Sequence, residues 1–173
     1  MKTLVFFGVT AVALLTRASM AQELSLNADS AVLSGAFKLT NGYLSQPVKT
    51  SLTNGGRALF SFHVTTAGSY VIQATVNAQG PQRHSFGVNI DGEPKEPEMI
   101  WDVAVTSGFE PRVVSWRGNG DASTPQFSQK VFNLSAGAHE LVVRGSDANT
   151  QLQRLAILQL PSPPSGLHVL SGP

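Results

Sequence analysis

Apolar and polar residues alternate along most of residues 23–160. Two stretches show it most clearly. Leu59-Phe60-Ser61-Phe62-His63-Val64 and Tyr70-Val71-Ile72-Gln73-Ala74-Thr75-Val76 flank Ala67-Gly68, and Val131-Phe132-Asn133-Leu134 and His139-Glu140-Leu141-Val142-Val143 flank Ala136-Gly137. Alternation places one set of side chains on each face of a strand, and glycine permits the positive φ of a tight corner. Each stretch therefore reads as an antiparallel hairpin. The same pattern predicts strands over 23–27, 31–39, 57–64, 69–77, 85–90, 100–104, 112–115, 129–134, 139–144 and 152–160. Turn signals separate them: Asn41-Gly42, Asn54-Gly55-Gly56, Gly80-Pro81, Asp91-Gly92 and Gly118-Asn119-Gly120. No window of helical length keeps a 3.6-residue period. Many short strands with regular turns predict an all-β fold, an antiparallel β-sandwich or jelly roll, with its first and last strands adjacent. Phe60, Phe62, Tyr70, Ile72, Phe86, Val88, Ile90, Phe132, Leu134, Leu141, Val143, Leu155 and Ile157 are the expected core.

The first segment departs from this pattern. Lys2 precedes an apolar run from Leu4 to Leu15, and Ser19-Met20-Ala21 carries small residues where a signal peptidase cuts. Residues 1–21 read as a secretory signal cleaved after Ala21, the run being short of the roughly 20 residues that span a bilayer. Secretion or surface display is the expected location. Loss of Lys2 and Arg17 lowers the basic count from 12 to 10 against 11 acids, a mature charge near −1. That balance argues against nucleic acid and anionic membrane as partners. The remaining residues suffice for one domain, 22–160, expected as a monomer. The chain has no cysteine, which excludes thiol catalysis, zinc–thiolate sites and iron–sulfur clusters. An exported chain without disulfides fits a bacterial source. Pro161-Ser162-Pro163-Pro164-Ser165-Gly166 opens the tail, 161–173, which reads either as a linker or as the start of a truncated fibronectin type III-like segment.

Catalytic chemistry finds little support. The histidines at 63, 84, 139 and 168 lack metal-ligand spacing. His63 and His139 sit in strand patterns, where partial burial or cross-strand pairing is expected. Asp91, Glu93, Glu96 and Glu98 are clustered, but Pro94 and Pro97 mark a solvated loop rather than a pair of catalytic carboxylates from separate strands. The loops offer more. Trp101 and Trp116 are the only tryptophans, and Trp116 opens the polar, glycine-rich phrase Trp116-Arg117-Gly118-Asn119. A sugar stacks its C–H face on an aromatic ring while amides and charged groups read its hydroxyls. The alternative for both is a place in the core, a reading evenly balanced for Trp116 and favoured for Trp101.

Several phrases, in order, resemble a carbohydrate-binding module of the galactose-binding-like jelly-roll type, similar to families six and thirty-five. They are Asn27-Ala28-Asp29, Gly42-Tyr43, Phe62-His63-Val64 with Ala67-Gly68-Ser69-Tyr70, Val88-Asn89-Ile90-Asp91-Gly92, Leu134 to Leu141, and Leu152 to Ile157. The resemblance implies a non-catalytic domain that binds a poly- or oligosaccharide through apical loops. Tyr43, Trp116, Arg117, Asn119, Asn149 and Gln151 are the implied ligand residues. The residues leave open which sugar is bound, and whether the fork of Arg117 takes an acidic one. The resemblance also implies a structural calcium, held at positions occupied here by Asn27, Asp29 and Gln153. Only Asp29 is charged, so that site is expected to be degraded and the chain to need no cofactor. The other reading is a structural or adhesive domain of a surface protein.

Overall fold

The computed structural model describes residues 23–80, 84–121, 123–124 and 126–161. The expected signal over 1–21 and the tail beyond 161 lie outside them. The described residues form twelve strands: β1 (Glu23–Asn27), β2 (Val32–Ser34), β3 (Lys38–Thr40), β4 (Tyr43–Ser45), β5 (Arg57–Val64), β6 (Gly68–Asn77), β7 (Ser85–Ile90), β8 (Ile100–Asp102), β9 (Glu110–Val113), β10 (Phe132–Leu134), β11 (Gly137–Gly145) and β12 (Gln151–Gln159). The only helical piece among the described residues is a 3-10 turn at Ala28–Ser30. One sheet runs β10-β6-β12-β4-β3, with β1 also on β12 and β9 also on β6; the other runs β2-β5-β11-β7-β8. Every described pairing is antiparallel, so the expected β-sandwich is present. The first and last strands are neighbours, Glu23 opposite Leu158 through Asn27 opposite Arg154.

Alternation does what the sequence promised for the core. All thirteen expected core residues belong to one buried cluster between the sheets. β5 shows why: Ala58, Phe60, Phe62 and Val64 face inward, while Ser61 and His63 face water. Burying each large apolar side chain stabilises the fold by about 1.5–3 kcal/mol. Trp101 and Tyr70 join the interior, with the Tyr70 hydroxyl donating to the Thr66 carbonyl at 2.6 Å.

The two repeated stretches are not hairpins. β5 lies in the five-stranded sheet and β6 in the seven-stranded one, and β11 and β10 are divided in the same way. Each Ala-Gly corner is an arch that carries the chain from one sheet to the other. The two arches stand side by side, with β5 on β11 and β6 on β10. An arch buries the inward faces of its two strands against each other, which explains why both runs look alike in sequence. The strand expected over 31–39 is two strands, separated where Gly35 takes a φ of +69°. β4 went unrecognised because three residues carry too short an alternation. His63 is exposed, opposite Ala138, whereas His139 is buried.

Gln46 ties the end of the sandwich together. Its amide nitrogen donates to the Val48 carbonyl, Thr50 Oγ1 and the Ser146 carbonyl, and its Oε1 accepts from the Gly56 amide. A side chain at Gly145 would collide with Oε1, so only glycine lets the amide seat. The Asn149 amide donates to the Gln46 carbonyl, which fixes the loop between β11 and β12.

Candidate functional site

That loop closes one end of the sandwich. The end of β6 brings Asn77, the connection to β7 brings Gln79, the residue before β7 is His84, and the loop into β12 brings Asn149 and Gln151. Together with Gly80 and Ala148 they line a cleft of about 320 Å³. Asn149 sits at a φ of +59°, a left-handed position that asparagine tolerates better than most residues. Strand register explains the convergence, because Gln151 pairs opposite Asn77. Their side chains also meet, Asn77 Nδ2 donating to Gln151 Oε1 at 2.8 Å.

Among the described residues, two buried polar atoms of the cleft residues, Asn77 Oδ1 and His84 Nε2, make no hydrogen bond. His84 is 7% exposed, and its other ring nitrogen lies 3.4 Å from Thr150 Oγ1. An unsatisfied buried polar group costs about 1–3 kcal/mol. Such a cost falls when a small side-chain rotation exposes the atom to a polar ligand in the cleft.

The sheet that carries Asn77 and Gln151 also carries aromatic surface. Leu44 pairs with Leu152 and Glu110 with Val76, so the register puts Phe109 level with Asn77 and Tyr43 level with Gln153; neither lines the cleft, Tyr43 and Phe109 instead packing on each other. Their ring centroids are 5.7 Å apart. Phe109 is exposed and Tyr43 half-buried. The Phe109 loop is pinned by Glu110, which accepts from the Ser107 amide, the Ser107 hydroxyl and Arg112. Those bonds, the Ser107 amide foremost, hold its carboxyl down at about 2.

The six expected ligand residues do not form one site. Asn149 and Gln151 line the cleft, and Tyr43 does not; it lies on the same sheet, level with Gln153. Trp116 lines a separate groove of about 300 Å³ with Asn89, Asp91 and Lys130, toward the other end of β7. Its indole is half-buried: Nε1 donates to the Val88 carbonyl at 2.8 Å, Phe132 meets it edge-on, and Lys130 Nζ lies 3.8 Å from the ring centre. Arg117 is buried and grips Asp102 with both arms of its fork, at 2.6 and 2.8 Å, so its fork is already filled. These bonds hold its guanidinium above its ordinary pKa. Asn119 is exposed in the following loop and does not line the cleft. Asn77 and His84 escaped the sequence reading because one reads as the last residue of a strand and the other as the residue before one. Nothing in the sequence alone marks them, since the ends of β6, β7 and β12 meet only in the fold.

The acidic loop is structural. Glu93 joins Arg57 and Arg144, Glu96 accepts from the Leu52 amide, and Asp91 accepts from the Glu140 amide and contacts His139 at 2.6 Å. His139 Nε2 lies 2.9 Å from the Ser135 carbonyl. Donating to that carbonyl and to Asp91 requires both ring protons, and the His139 pKa is raised accordingly, chiefly by Ser135.

Asn27, Asp29 and Gln153 do come together, lining a cavity of about 270 Å³ with Gly42 and Arg154. Calcium takes six to eight oxygens and prefers carboxylates. Here one carboxylate faces two amides and a guanidinium, a donor set that does not fit a tight calcium site. Among the described residues no three acidic, histidine or cysteine side chains gather as metal ligands.

No protein-family model and no curated protein matches this sequence. Solved structures do share its fold. A native family 35 carbohydrate binding module from Clostridium thermocellum matches with a TM-score of 0.58 at 13% identity, over 81% of this chain and 100% of its own. The C-terminal CBM6 of LamC, a marine laminarinase from Zobellia galactanivorans, matches at 0.52 and 11% identity, over 80% and 100%. The GH26-CBM35 β-(1,4)-mannanase of Podospora anserina matches at 0.57 and 12%, over 82% of this chain but only 29% of that enzyme. This chain has the galactose-binding-like fold of carbohydrate-binding modules.

Proposed function

We propose that this chain is a non-catalytic carbohydrate-binding domain and that the sugar enters the cleft formed by Asn77, His84, Asn149 and Gln151. The observation that carries this reading is the pair of buried, unpartnered polar atoms at a polar apical cleft. Sugar hydroxyls both donate and accept, so one ligand class satisfies both atoms as well as the Asn149 and Gln151 amides. The Tyr43 and Phe109 rings, packed on each other on the sheet that carries Asn77 and Gln151, offer a surface on which a sugar's C–H face can stack. The fold shared with carbohydrate-binding modules supports the same conclusion but does not carry it, since one fold hosts many functions. The Asp91, Glu93 and Glu96 carboxylates bond to their own chain, which favours binding over hydrolysis. In this reading residues 1–21 export the protein, it acts as a monomer, and no tight calcium supports the fold.

A small, open site gives dissociation constants from micromolar to millimolar. A glycan array followed by titration of Asn149→Ala and Gln151→Ala tests the proposal. Both variants should bind at least several-fold more weakly while melting cooperatively. Trp116→Ala should keep its affinity and lose stability, because the indole is a packing and hydrogen-bonding group. If no glycan binds, or if Trp116→Ala alone abolishes binding, the cleft is not the site. Absence of all glycan binding would favour the structural or adhesive reading, which the internal commitments of Trp116 and Arg117 also suit.

A further inference from the structure

We infer that the cleft selects a neutral saccharide and rejects an acidic one, with Asn77 and His84 as the specificity-determining residues; this rests on the sugar-binding reading above. Asn77 uses its amide nitrogen on Gln151 Oε1. What it has left for a ligand is therefore its buried carbonyl oxygen, an acceptor only. A sugar hydroxyl donates to it, whereas a carboxylate brings lone pairs against lone pairs. His84 Nε2 is the second unpartnered atom. A neutral imidazole nitrogen either donates or accepts according to tautomer, and a hydroxyl answers both cases, a carboxylate only one.

The charges around the cleft point the same way. Asp147, adjoining Ala148 at the rim, is buried and accepts from Ser85 Oγ at 2.6 Å. Lys49 lies 2.8 Å from that carboxylate. Asp102 pairs in register with Ser85, the residue after His84, and holds Arg117. Lys49 and Arg117, the cations among the described residues near this end, are thus already matched to resident carboxylates. Among the described residues that line the cleft none is positively charged. Among the described residues, a uronate entering here meets the Asn77 acceptor, finds no free cation and can bond only the neutral amides of Asn149 and Gln151. A neutral sugar meets only groups it can bond.

Matched methyl glycosides test this in pH 8 buffer, well above the ordinary imidazole pKa of about 6.5. Glucose, galactose, mannose and xylose would be titrated beside glucuronic and galacturonic acids, by NMR of the folded protein. The best neutral sugar should bind about tenfold or more tightly than its own uronate. Asn77→Ala and His84→Gln should each weaken that sugar about three- to tenfold, one hydrogen bond's worth. His84→Lys should narrow or invert the preference by supplying a cation, which a merely structural histidine would not do. Melting curves confirm that each variant is folded. If uronates bind as tightly as neutral sugars, the selectivity is refuted and the sugar-binding reading stands. If folded protein binds neither class, both fail. Neutral preference with unchanged affinity in Asn77→Ala and His84→Gln overturns the assignment of these two residues.

Discussion

Replacing Gln46 with methionine should separate what the fold needs from what the cleft needs. Methionine matches the length of glutamine but offers no amide. Four hydrogen bonds disappear, three from Nε2 and one to Oε1. They are not equal. The Ser146 carbonyl keeps a partner, because the Thr50 amide also donates to it at 2.9 Å. The Val48 carbonyl and the Thr50 hydroxyl are only partly buried and regain some solvation. The Gly56 amide is buried and loses its Oε1 partner, at about 1–3 kcal/mol. The other bonds add about 0.5–1 kcal/mol each, and burying the thioether in place of an amide returns about 1. The net loss is about 3 kcal/mol, or a fall in Tm of roughly 10 °C for a fold of this size. Urea unfolding followed by the fluorescence of buried Trp101 measures it. The loop from Ser146 to Asn149 would also lose an anchor, so sugar affinity should fall in the folded variant. A loss below about 1 kcal/mol would refute the reasoning, since the buried amide would then have found another partner.

Three further outcomes follow from other parts of the molecule. Arg117→Met leaves Asp102 charged without its partner in a mostly buried position, and should cost about 3 kcal/mol while leaving the sugar affinity of the folded protein unchanged; titration at a urea concentration where both forms stay folded checks this. His139 has a raised pKa, so its ionised pair with Asp91 stabilises fully below the unfolded value of 6.5 and is lost as pH rises through the folded value. The stability gap between the parent and His139→Asn should therefore be largest near pH 6 and shrink by pH 8 to 9, and a gap that grows with pH would contradict it. Chelator should leave the melting temperature unchanged, and Gln153→Asp should raise calcium affinity measured by calorimetry; a large chelator-induced drop in the parent would show that the amide-rich cavity holds the ion after all.

Local chemistry determined the strands, the faces and the core. A period of two decides which side chains are buried wherever one face meets water, so Phe60 and Phe62, or Leu155 and Ile157, could be assigned to the interior without knowing their neighbours. The Ala-Gly corners were also legible as corners. Pairing was not. Alternation is the same for a hairpin and for an arch between sheets, because either way one face is buried. Only long-range packing shows that β5 joins β11 and β6 joins β10. The same reason governs the site. Asn149 and Gln151 were legible as polar residues beside a turn, and Tyr43 as an aromatic one. Trp116 and Arg117 carry the composition of a sugar platform, yet tertiary contacts commit the indole to Val88 and the guanidinium to Asp102. Asn77 and His84 became candidates only when β6, β7 and β12 ended side by side. Whether a side chain keeps its bonding capacity for a ligand depends on the partners that folding brings to it, and those come from residues distant in the chain.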